Sequence, residues 1–123
     1  MSDTPLLKEL LRQILEGISR IERRFEPIDS ADDFSKDNDG VDRLDGIAMM
    51  LIGIGECLKR FEKSGGKSLL EQHDNIDWKG AKGIRDFLSH QYFDIDTEIV
   101  FAICQNHIQD LKTAILAIQN QID

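Results

Sequence analysis

The sequence predicts an all-α fold, an up-and-down bundle of four main helices, on three observations. Apolar residues recur at steps of three and four in four separate stretches, as one face of a helix requires. No stretch alternates apolar and polar residues in the manner of a half-buried strand. The links carry helix punctuation: Pro27 after the first stretch, Ser64-Gly65-Gly66 after the second, and Asp77 and Asp96 ahead of the last two.

The first helix opens at Thr4-Pro5, an N-cap followed by proline at the first helical position. Leu7, Leu11, Ile14, Ile18, Ile21 and Phe25 form its inner stripe, widened by Leu6, Leu10 and Leu15, while Arg12, Glu16, Arg20 and Arg23 stay on the wet side. Residues 29–45 read as an acidic connector holding Asp29, Asp32, Asp33, Asp37, Asp39, Asp42 and Asp45. The spacing is not that of an EF-hand loop, so it reads as a solvated link that feeds carboxylates into a helix N-terminus.

The second helix is expected from about Gly40 to Ser64. Val41, Leu44, Ala48, Leu51, Gly55, Leu58 and Glu62 trace one line along it, with Ile47, Ile54 and Phe61 beside that line and Met49, Met50 and Ile52 on other sides. So wide an apolar arc implies burial from more than one side, either at the bundle centre or against a partner. Gly53 and Gly55 would allow close helix approach. Asp77 caps a third helix with Trp78, Ala81, Ile84 and Leu88 facing inward, ending around His90–Asp94. Asp96 caps the fourth, whose inner set is Val100, Cys104, His107, Leu111, Ile115, Ile118 and Ile122.

The 123 residues read as one domain, 1–123. With 15 Lys and Arg against 23 Asp and Glu the chain carries −8, and its isoelectric point is near 4.8. Duplex binding by bulk charge is thereby excluded, and any nucleic-acid surface must be local. Cys57 and Cys104 make neither a disulfide framework nor a zinc quartet; they read as small apolar side chains in a reducing cytoplasm. The first residues lack a basic leader, and the longest apolar run, Ile47–Gly55, is too short to cross a membrane.

The chemistry narrows to one segment. His107 on an apolar stripe reads as a hydrogen-bonded core histidine, and His73 in Glu71-Gln72-His73-Asp74 as a surface residue. The Glu-x-x-His pairs of di-iron bundles, phosphate-binding glycine loops and the serine-hydrolase elbow are all absent from the sequence. That leaves Arg85, His90 and Tyr92 within eight residues, at the end of a helix made locally positive by Lys79, Lys82 and Arg85. From the residues alone, a capping role and a functional role stay open.

Arg85-x4-His90-x-Tyr92 resembles the Arg-x4–6-His signature of HEPN domains, in the extended form of the HepT-like toxins. The block Lys82–Asp96, "KGIRDFLSHQYFDID", is similar to the family's motif segment, and "IGIGECLKRF" around Gly55-Glu56 is similar to its second-helix segment. The likeness covers about residues 4–120. One departure is Asp86, where many HEPN members have asparagine. The resemblance implies a metal-independent ribonuclease toxin without a cofactor, with Arg85 and His90 catalytic and Lys79 and Lys82 as RNA contacts. It implies a homodimer, and a small MNT-type nucleotidyltransferase antitoxin that transfers AMP to Tyr92. On a regular helix Arg85 and His90 stand roughly 140° apart, so they converge only across a helix break or a subunit boundary. Two readings stand beside this one: a non-catalytic nucleotidyltransferase-binding subunit, favoured by Asp86 and the acidic charge, and a plain helical dimerisation module.

Overall fold

The computed structural model describes residues 3–88 and 93–122. Its architecture is the expected all-α bundle, with no strand among the described residues. Among the described residues six helices make four rods: α1 (Thr4–Phe25), α2 (Asn38–Phe61), the pair α4 (Trp78–Lys82) and α5 (Ile84–Leu88), and the pair α6 (Thr97–Asn106) and α7 (Ile108–Gln121). A short α3 (Lys67–Glu71) lies between the second and third rods. No helix among the described residues is long and apolar enough to cross a membrane.

The stripe read from the first helix is the buried face of α1, from Leu7 through Leu10, Leu11, Ile14 and Ile18 to Ile21. Its cap is Asp3 rather than Thr4: the Asp3 carboxylate accepts from the Leu6 N–H at 3.2 Å, which moves Pro5 to the second helical position. Helix α2 packs against α1, α4, α5 and α6, so its wide apolar arc is largely spent on being the central rod. Leu44, Ile47, Leu51, Ile54, Leu58 and Phe61 are buried; Val41 and Met49 remain exposed.

The acidic connector is shorter than the sequence suggested. A 3₁₀ turn at Ala31–Phe34 buries Phe34 completely, and Asp37 caps α2 by accepting from the Gly40 N–H at 2.8 Å. Asp39, Asp42 and Asp45 therefore lie inside the helix. At its other end α2 gives way to a kink over Glu62–Gly66, where Gly65 takes φ 104°, a left-handed conformation that suits glycine.

Both later rods are broken once. The third breaks at Gly83, and the fourth at His107. The second break corrects the reading of His107. Past it the buried positions are Ile108, Leu111, Ala114, Ile115 and Ile118, so Ile108 takes the inward place and His107 is left exposed at the junction.

Candidate active site

The third rod is held by its first turn and by a glycine on α2. Asp77 caps α4 through the Gly80 N–H at 2.9 Å, and the Trp78 indole donates to the His73 carbonyl at 3.0 Å. Gly55 is buried against this rod: a Cβ there would sit 2.7 Å from the Ala81 carbonyl oxygen. Gly53, expected to play the same part, faces open space. Seven residues beyond Gly55 on the same line, the Glu62 carboxylate accepts from the Lys82 ammonium at 2.7 Å. Lys82 and Glu62 are both half-buried in this pair, with side-chain exposures of 23% and 30%.

The chain then turns over at Gly83, whose N–H donates to the Lys79 carbonyl while its own carbonyl accepts from Asp86. Helix α5 restarts at Ile84 and seats Leu88, which is 1% exposed, in the core. Ile84 and Leu88 face inward, and Arg85, Asp86 and Phe87 are exposed. The Leu88 carbonyl accepts from the Asp96 N–H at 3.0 Å, so the chain beyond α5 starts and ends at one pinned point. Asp96 then caps α6 through the Ile99 N–H.

Of the site residues expected from sequence, Arg85 and Lys79 are exposed on α5 and α4, and Lys82 is tied to Glu62. His90 and Tyr92, with Ser89 and Gln91, lie outside the described residues. Asp86 is exposed next to Arg85. The sequence signal for Glu62 is its place on one helical line with Gly55 and Leu58. Its charge could have been matched to a lysine on the facing helix.

An apolar cleft of about 300 Å³ runs along the inner side of this rod, lined by Leu51, Ile54, Ala81, Ile84, Phe87 and Ile103 among others. Among the described residues no three His, Cys, Asp or Glu side chains gather as a metal site would require. The thiols are poor nucleophiles: burial pushes Cys104 up to about 12 and raises Cys57 as well, so both stay protonated near neutral pH.

The family model described as ribonuclease HepT-like matches residues 14–118, from the middle of α1 almost to the end of α7. The chain belongs to the HepT-like ribonuclease family. The matched span of this HepT-like chain takes in the whole Arg85-x4-His90-x-Tyr92 block and Gly55, the contact that sets the block's helix on α2. A Methanocaldococcus jannaschii protein named "gamma-glutamylcyclotransferase and putative RNase" is 28% identical over 117 residues, covering 95% of this chain and 49% of that protein. A Caldanaerobacter subterraneus protein named "putative RNase" is 32% identical over 59 residues, covering 48% of this chain and 49% of its own. The chain thus matches about half the length of each of these curated relatives. No solved structure matches it.

Proposed function

We propose that this chain is a metal-independent RNA endonuclease that acts in the cytoplasm as a toxin, as one HEPN-type domain. The carrying observation is the match to the HepT-like ribonuclease family across the span that holds Arg85, His90 and Tyr92. The exposed position of Arg85 on α5 supports the reading, because a guanidinium that must meet an RNA phosphate has to face solvent. Cleavage of RNA without a metal needs a base for the 2′-hydroxyl proton and an acid for the leaving 5′-oxygen. Histidine, titrating near neutral pH, serves as either. His90 takes that part. Arg85 neutralises the charge that builds on the phosphoryl oxygens.

Two copies related by a two-fold axis bring Arg85 and His90 to one cleft. The exposed Val41 and Met49 on α2 and Phe87 on α5 supply apolar surface for such contact. A nucleotidyltransferase partner neutralises the toxin by moving AMP from ATP to the Tyr92 oxygen, which loses its proton as pyrophosphate leaves. The added phosphate and bulk then compete for Arg85 and repel the substrate.

The test is direct. Arg85→Ala and His90→Ala should each abolish RNA cleavage and growth inhibition while leaving the helical circular dichroism unchanged. Exposed Asp86 and the acids around it favour a second reading, a non-catalytic subunit that binds the nucleotidyltransferase. Wild-type protein that forms that complex yet leaves RNA intact would decide for it.

A further inference from the structure

The net charge of −8 hides a sharp division along α2. Residues 26–45 carry eight acids and two bases, and residues 86–98 carry four acids and no lysine or arginine. Described residues of these two segments meet at one end of the bundle, in a groove lined by Phe34, Val41, Asp45, Asp86, Phe93 and Asp96 among others. They account for more than the whole negative excess. The other end is different: residues 59–82 hold six lysines and arginines against four acids.

Two of those acids are committed to holding the fold. Glu62 pairs with Lys82, and Asp77 caps α4. Lys59 meets Glu56 at 3.5 Å with both side chains about half exposed, a pair of little energetic weight. Arg60, Lys63, Lys67 and Lys79 are exposed, and none is in an ion pair among the described residues. The Glu62–Lys82 bridge brings the end of α2 and the start of the third rod together, so these cations share one end of the molecule. Asp39 and Lys59, at the two ends of α2, are about 30 Å apart along the helix axis. The screening length at physiological salt is about 8 Å. Exposed Glu71 and Asp74 share this end, as does Asp3, whose N–H donates to the Ser64 carbonyl, so a phosphate there feels the exposed cations together with these few acids and little of the distant ones.

Arg85 stands at the border between the two ends, three residues past Lys82 and next to Asp86. The geometry points to a phosphate-binding track at the basic end, formed by Lys59, Arg60, Lys63, Lys67 and Lys79, along which the RNA backbone reaches Arg85. This rests on the ribonuclease reading and adds the side from which the substrate arrives. Lys82 serves the track indirectly, by orienting α4 on Glu62.

The test uses the full-length protein and a fluorescein-labelled 2′-O-methyl oligoribonucleotide of about 12 nucleotides, which resists cleavage through the 2′-hydroxyl. Binding is followed by anisotropy across a salt series. Each single-strand phosphate contact contributes about 0.7 to the slope of log affinity against log salt. Joint replacement of Lys59, Lys63, Lys67 and Lys79 by glutamine should lower that slope by about 3 and weaken affinity at least about tenfold. Lys79→Gln alone should lower it by about 0.7. Asp42→Asn/Asp45→Asn, at the acidic end, should leave the slope unchanged. If the wild type binds but the fourfold variant keeps its slope and affinity, the track is wrong while the ribonuclease reading stands. If the wild type neither binds this probe nor cleaves the unmodified RNA, the ribonuclease reading falls and the track with it.

Discussion

The two ends of α2 use charge in opposite ways. At the N-terminal end carboxylates are structural. Asp37 caps the helix, Asp39 reaches one turn on to Arg43, and Asp33 accepts from the Asp29 and Ser30 N–H groups while pairing with Lys36. At the C-terminal end Glu62 holds Lys82 in a half-buried bridge, Glu56 meets Lys59 only at the surface, and Arg60, Lys63, Lys67 and Lys79 face water. An acidic protein can therefore present a locally basic surface. Acids fix the loops at one end, and the motif helix starts where that end gives way to the other.

The largest expected effect comes from the glycine that seats the third rod. Gly55→Val must push Ala81 away from α2 and should cost about 1–3 kcal/mol of stability, the usual range for overpacking. RNA cleavage should fall with it, because Arg85 rides on that rod. Gly53→Ala, two residues away and facing open space, should be neutral or gain up to about 1 kcal/mol from helix propensity. Thermal melting of the two variants side by side checks the pair. Equal destabilisation would show that the approach of the two rods does not depend on Gly55.

A smaller effect separates the ends by pH. The backbone N–H of Asp29, followed by the Lys36 ammonium, holds the Asp33 carboxyl below its ordinary 3.8. A lowered folded-state value means stability that is full above the unfolded value and lost as pH falls through the folded one. Wild type should therefore exceed Asp33→Asn in denaturation midpoint at pH 7. The gap should close only below about pH 4. A gap that is constant down to pH 3 would mean the charge on Asp33 contributes nothing to holding the turn.

Much of this was legible in the sequence because helical spacing is a local property. The inner stripe of α1, the caps at Asp77 and Asp96, and the buried line on α2 all follow from residues within a few turns of one another. The breaks at Gly83 and His107 did not follow. A three-to-four spacing continues across a kink, so His107 fell on an apolar stripe although the fold turns it outward and gives its place to Ile108. The spacing Arg85-x4-His90-x-Tyr92 is visible in the chain, whereas the surroundings of Arg85 are set by the fold. Lys82, expected as an RNA contact, is tied by the fold to Glu62, and the net charge of −8 concealed a division that exists only once Asp45 meets Asp86, Asp94 and Asp96 in space.

The central claim is that cleavage runs through the 2′-hydroxyl with Arg85 and His90 and without a metal. Its most direct test is the chemistry of the product ends. Purified wild-type protein, incubated with labelled RNA in excess EDTA, should release fragments ending in a 2′,3′-cyclic phosphate with a 5′-hydroxyl on the other side. The same incubation with Arg85→Ala should release none. Fragments that appear only with added divalent metal, or that carry a 5′-phosphate and a free 3′-hydroxyl, would contradict the account.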